Sequence, residues 1–261
     1  MPRTIRDPSK KIEEGNCWYT DDQFAVQLGT PSSKFVVENR WRIFSEAMNR
    51  WIQRNETDRD KHTFHILDAG CGDGINLFGL LKFVKEHNLG VRIFGVDYNP
   101  LRLNRAQKIE GVTGLLQGSL TRLPFPDETF DIVLCNHVLE HITNDERALL
   151  ELNRILRSKG LMILGVPNEG CVLARLRNRV VQPSIARTTD HVQLYTSSIL
   201  EARATAAGFR IVHMFREGFF MPYLRINNLL QARAPGRALL SACRNLLPSQ
   251  AADLIGIFSK C

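Results

Sequence analysis

The chain has 261 residues, with 34 Lys and Arg against 27 Asp and Glu and six cysteines. That length suits one α/β domain carrying a cap. No apolar run approaches the ~20 residues that span a bilayer, and without a C-x-x-C pair the cysteines suggest neither a zinc site nor a disulfide framework. Met1-Pro2-Arg3-Thr4 opens without a hydrophobic leader stretch, so a reducing, cytoplasmic setting is expected. Charge is uneven: segments 170–189 and 218–252 hold eight arginines and no Asp, Glu or Lys, more than the whole formal excess of +7. The basicity therefore points to a local anionic partner, and general nucleic-acid affinity is not expected.

Residues 1–34 show no clear periodicity. Cys17-Trp18-Tyr19-Thr20 is an aromatic cluster that reads equally as a lid or as packing on the outside. Phe35 to Arg54 reads as an amphipathic helix, with Phe35, Val36, Trp41, Phe44, Met48, Trp51 and Ile52 at helical spacing. From Phe64 onward strands near 64–69, 91–97, 112–117, 130–136 and 160–167 alternate with helices near 75–88, 100–109 and 144–157. This order predicts parallel strands with right-handed crossovers. Asn99-Pro100 reads as an N-cap and first helical position. Thr143-x-x-Glu146 reads as a capping box, and Lys159-Gly160 as the stop of that helix. An arginine-rich insertion at 170–190 follows, then a helix from Thr196 to Ala207 and a strand from Phe209 to Phe215. Two short helices are predicted in 220–247, broken at Pro235-Gly236, before a last strand at Leu254 to Phe258.

The most informative stretch is His65-Ile66-Leu67-Asp68-Ala69-Gly70-Cys71-Gly72-Asp73-Gly74. A buried strand ends in a carboxylate and runs through three alternate glycines into a helix. Such a loop is a place for a nucleotide-like cofactor. The spacing is G-x-G-x-G rather than the dinucleotide G-x-G-x-x-G. A second strand ends in Asp97, whose two oxygens can accept from both hydroxyls of a ribose.

This pattern resembles the class I S-adenosylmethionine (SAM)-dependent methyltransferases, and small-molecule O-methyltransferases in particular. Gln117 to Phe125, Phe130 to His141 and Leu161 to Asn168 extend the resemblance in order along the chain. It implies a Rossmann-like, seven-stranded, mostly parallel sheet with helices on both faces and a helical cap. It divides the chain into an N-terminal helical or lid segment, 1–61, and a SAM-binding domain, 62–261, with cap insertions near 169–192 and 218–252. SAM is the implied cofactor, and Asp68, Gly70, Cys71, Gly72, Gly74, Asp97, Tyr98, Ser119, Leu120 and Asn136 are the implied cofactor residues. Ser119 stands where the family usually has an acidic residue for the adenine amino group.

Methyl transfer from a sulfonium requires nucleophile and methyl to be held in line. An oxygen nucleophile also needs a base, and a histidine suits that task near neutral pH. His137, His141 and His191 are candidates, and His141 and His191 are the expected catalytic pair. No metal is required by a tight ligand motif. The acceptor expected is a hydroxyl of an anionic or amphiphilic metabolite, such as a quinone, lipid or sugar intermediate. The basic, apolar cap would also suit an anionic membrane surface. An RNA or protein methyltransferase and a non-catalytic SAM-binding regulator are the alternatives.

Overall fold

A computed structural model describes residues 20–55, 63–184 and 190–261. The Cys17-Trp18-Tyr19 part of the aromatic cluster lies outside them. Seven strands form one sheet: β1 Phe64–Ala69, β2 Val91–Asp97, β3 Gly114–Gln117, β4 Phe130–Asn136, β5 Leu156–Pro167, β6 Phe209–Glu217 and β7 Asp253–Lys260, in the order β3-β2-β1-β4-β5-β7-β6. Strands β1 to β5 pair in parallel, while β7 pairs antiparallel with both β5 and β6. The helices are α1 Gln23–Leu28, α2 Pro31–Arg54, α3 Ile75–His87, α4 Pro100–Ala106, α5 Asp145–Ile155, α6 Val172–Leu176, α7 Ser197–Ala206, α8 Leu224–Gln231 and α9 Ala234–Leu246.

Alternate side chains of each central strand feed opposite faces of the sheet, as the two-residue period requires. Leu67, Val133, Cys135, Met162 and Leu164 pack with Leu149, Leu152 and Leu200 of α5 and α7. Ile66, Ile132, Leu134 and Ile163 pack with Phe44 and Met48 of α2 and Leu77, Leu80 and Phe83 of α3. Both faces are covered, which explains why these strands read as continuous apolar runs. Helix α2 seats against α3 through one small residue: a Cβ at Gly79 would run into the Trp41 indole.

Three local expectations are corrected. Asn144, not Thr143, caps α5, its side chain accepting from Arg147 N at 3.1 Å. That helix ends at Ile155 and passes directly into β5, so Lys159-Gly160 lies within the strand rather than at a helix stop. The α8–α9 break falls at residues 232–233, and Pro235 sits in the first turn of α9, where its missing N–H removes no helical bond.

The topology sets where a ligand can go. Strands β1 to β5 all finish at one edge, and in such sheets ligands bind outside the carboxyl ends. β6 also ends there and β7 begins there, Glu217 pairing with Asp253. The chain joining them, α8 and α9, therefore starts and finishes at the same edge.

Candidate active site

The glycine loop is stitched onto the end of β2. Gly70 N and Cys71 N donate to Val96 O at 2.7 and 3.0 Å, and Gly72 N donates to Asp97 Oδ2 at 2.7 Å. Asp97 Oδ1 accepts from Asn99 N at 2.8 Å. Each oxygen of Asp97 thus keeps a lone pair for a further donor. Burial raises the Asp97 carboxyl, and the Asn99 and Gly72 amides oppose it. Gly70 has φ +83°, and a Cβ there would be driven into the Val138 side chain, 2.8 Å from Cγ1. At Gly72, φ +53°, an added Cβ meets Arg102 only at an ordinary 3.5 Å, so there the backbone conformation is what demands glycine. The loop closes at Gly74, which precedes the first residue of α3.

Three buried oxygens, two on Asp68 and one on Asn136, point to a missing partner in this cradle. Asp68 is 0 % exposed, and neither of its oxygens has a hydrogen-bond partner among the described residues. Burial pushes its carboxyl up to about 8, with Asn76 opposing and the Asp97 charge reinforcing. Asn136, at the end of neighbouring β4, has an unpartnered buried Oδ1. It fits only because residue 165 is glycine, since a Cβ there would strike that oxygen. Unpaired buried acceptors are costly. A ligand bringing an ammonium or N–H donors would satisfy them, so these residues fit a cofactor with an amino-acid end.

The remaining expected cofactor residues contribute unequally. Cys71 brings its backbone to the loop, but its thiol packs under Gly95 of β2 and is pushed up by burial. Ser119 is exposed, and its hydroxyl is engaged by Thr121 Oγ1 at 2.8 Å. Leu120 is buried, and Tyr98 presents a half-exposed ring beside Asp97.

The expected catalytic histidines come together across 50 residues of sequence. Beyond β4 the chain makes a 3-10 turn, Leu139–His141. The returning segment is pinned to it, Val192 N and Gln193 N donating to Glu140 O at 2.8 and 3.1 Å. This places the rings of His141 and His191 edge to face, centroids 4.9 Å apart. His191 Nδ1 pairs with Glu169 Oε2 at 2.9 Å, and Arg177 braces Glu169 Oε1 at 2.6 Å. Burial lowers His141 to about 4; the His191 and His137 charges add to that and Glu140 opposes. Burial pushes Glu140 up, but the imidazoles of His137, His141 and His191 outweigh it and hold the carboxyl below its ordinary range. His137, at φ +55°, faces Glu140 Oε1 through Nδ1 at 3.4 Å and has Nε2 3.0 Å from Arg40 Nη2.

The central part of the sheet is similar to known proteins. Residues 67–164 match the family model described as a methyltransferase domain. That stretch, from within β1 to within β5, is what the chain shares with methyltransferase domains. A Mycobacterium tuberculosis protein named a probable S-adenosylmethionine-dependent methyltransferase is 28% identical over 166 residues, 64% of this chain and 56% of that one. A methyltransferase of Schizosaccharomyces pombe, named as uncharacterized, is 37% identical over 112 residues, 38% of each chain. The chain spans about half the length of the first curated relatives it matches, 52% and 56%. A SAM-dependent methyltransferase structure from Archaeoglobus fulgidus superposes with TM-score 0.52 at 18% identity, covering 87% of this chain and 99% of that one. The [4+2]-cyclase SpnF superposes with TM-score 0.53 at 16% identity, covering 83% and 80%. These likenesses establish the fold, and a fold hosts more than one chemistry.

Around the glycine-loop cradle lie residues that the sequence did not flag. Asp73, in the glycine loop, is buried; its Oδ2 accepts from Gln23 N at 2.7 Å and Arg105 lies 3.4 Å from Oδ1. The start of α1 is thereby held on the loop. Arg177, expected among the arginines facing an acceptor, is instead buried beneath Phe220 and bound to Glu169. A cleft of about 320 Å³ opens between α2 and α9, lined by Arg40, Arg42, Arg237 and Arg244 together with Glu217 and Asp253. Arg40 and Asp253 both reach His137, so the cleft abuts the histidine cluster. Only the glycines and Asp97 carried a local signal; Glu169, Arg40 and Asp253 arrive by tertiary folding.

Proposed function

We propose that this chain transfers the methyl group of SAM to a hydroxyl of an anionic or amphiphilic small molecule. The observation that carries the reading is the cradle: three glycines at positive φ, Asp97 with spare lone pairs, and beneath them Asp68, whose oxygens make no hydrogen bond among the described residues. When bound, the cofactor supplies an electrophilic methyl on a sulfonium sulfur. Asp97 would hold the ribose hydroxyls. The backbone of Gly70 to Gly74 with Asp68 and Asn136 would hold the amino-acid end, and Tyr98, Ser119 and Leu120 would flank the base. The acceptor enters by the arginine-lined cleft, whose charge suits an anionic group. Its proton leaves toward His141 and His191. Of the two, His191 is the better placed to accept, because Glu169 accepts a hydrogen bond from its Nδ1 and orients its ring. Exposed Leu229, Leu239 and Leu246 give the cap an apolar rim beside Arg225 and Arg233, which supports an amphiphilic acceptor presented at an anionic membrane surface from the cytoplasmic side. No helix among the described residues is long and apolar enough to cross a membrane.

Titration calorimetry tests the cofactor half. The wild-type chain should bind SAM, and Asp97→Ala should weaken binding by about 1–3 kcal/mol, the range for bonds to a charged group. Unchanged affinity in the variant, or no binding to the wild type, overturns the assignment.

A further inference from the structure

We infer that Glu140, His141 and His191 form a site for one divalent transition-metal ion on the acceptor side of the carboxyl edge. One ligand atom from each residue lies within 4.8 Å of the others. Distances of that order close onto a metal with small side-chain adjustments, given bonds of about 2.0–2.2 Å to nitrogen and oxygen.

Glu140 is the strongest pointer. It is 0 % exposed, and neither carboxylate oxygen has a hydrogen-bond partner among the described residues. The nearest group, His137 Nδ1, is 3.4 Å away. Buried carboxylate oxygens without hydrogen bonds are rare in folded proteins, and a divalent cation would fill their lone pairs. The turn that carries Glu140 also fixes His141, and its backbone carbonyl fixes the segment that carries His191.

The neighbouring side chains set the tautomers that metal binding needs. Glu169 accepts from His191 Nδ1, which leaves Nε2 with a lone pair. A carboxylate behind a ligating imidazole is the common outer support of metal sites. Arg177 in turn holds Glu169. Arg40 can only donate, so His137 Nε2 must accept from it and Nδ1 carries the proton. That N–H faces Glu140 Oε1, so His137 orients the carboxylate rather than joining the ligands.

Two imidazole nitrogens and one carboxylate favour zinc, cobalt, iron or manganese over magnesium or calcium, which prefer all-oxygen sets. Three protein ligands leave a position open, as in catalytic sites. If the acceptor-side reading above holds, an acceptor hydroxyl at that position would ionise more readily, its proton passing to solvent, and in the metal-loaded chain His141 and His191 would act as ligands in place of the base role they have without metal. Metal binding itself can be measured without any acceptor.

The test uses the full chain stripped with a chelator. Co²⁺ is titrated in and followed by visible absorption and calorimetry, with a SAM titration run in parallel. One equivalent should bind. Glu140→Gln and His191→Ala should each weaken it at least tenfold, and Glu169→Gln by about 10–100-fold, as loss of an outer support does. Far-UV circular dichroism checks each variant. If either ligand variant is unfolded, Glu169→Gln decides by itself. Absence of stoichiometric binding, or equal affinity in the folded variants, overturns the site. SAM binding that persists when Co²⁺ binding fails leaves the methyltransferase reading intact, and the reverse result sinks that reading alone.

Discussion

Cofactor binding should expel a proton, and the proton should come from Asp68. Its carboxyl is wholly buried with no partner and is pushed up to about 8 by burial. At pH 7 about nine molecules in ten therefore hold Asp68 protonated before the cofactor arrives. An ammonium placed beside it would return the group toward the ordinary value of about 3.9. Binding at pH 7 should then release about 0.9 proton per site, and affinity should rise close to tenfold from pH 6 to pH 7, about 1.4 kcal/mol. The assay is calorimetry of SAM binding in two buffers of different ionisation enthalpy, kept below about pH 7.5 so that the ligand's own amine stays charged. Asp68→Asn should abolish both the buffer dependence and this pH slope. The sign for stability is opposite. A carboxyl with its folded pKa raised from 3.8 to about 8 stabilises the cofactor-free fold fully below pH 4, and that contribution is lost as pH rises to 8. The Asn variant should lose this decline in thermal midpoint. A wild-type binding heat independent of buffer, or the same proton count in the variant, refutes the reasoning.

Two further outcomes follow from close packing. Gly70→Ala places a Cβ against Val138 at φ +83°, so SAM affinity should fall at least tenfold, with a stability loss of about 1–3 kcal/mol for the strained backbone. The double variant with Val138→Ala should recover part of it, and no recovery would rule out the steric cause. Gly79→Ala gains about 1 kcal/mol of helix propensity but displaces Trp41. Overpacking of that kind costs about 1–3 kcal/mol, so urea denaturation should show a net loss with SAM affinity unchanged; a variant as stable as wild type would show that α2 yields freely.

Legibility from sequence tracked the range of the interaction. The strands from Phe64 to Pro167, Asn99 as the cap of α4 and Asp97 at the end of β2 were readable because each rests on neighbours in the chain. The start of β5 was misplaced by four residues because α5 runs into it without a turn, and no local signal marks such a junction. The pairing of His141 with His191 was not readable from spacing, since Glu140 O and two amides 52 and 53 residues away create it. Arg177 was misread for the same reason. An arginine in a basic run looks solvated until its carboxylate, Glu169, appears eight residues earlier across a helix turn.

The two buried carboxylates at the sheet edge show how one fold prepares two different sites. Asp68 and Glu140 are each 0 % exposed, and burial pushes each upward. They diverge because of what surrounds them. Around Asp68 lie glycine backbone, Asn76 and another acid, Asp97, so the charge finds no compensation and the group stays protonated. Around Glu140 lie three imidazoles, which outweigh burial and keep the group ionised. A position that holds its proton until a cation enters responds to ligand binding. A position that stays ionised beside lone-pair donors is already prepared to hold charge. The cofactor side and the acceptor side of the edge are therefore distinguished by the counter-charges that adjacent strand ends bring, and the glycine loop after β1 and the histidines after β4 are the residues that make that difference.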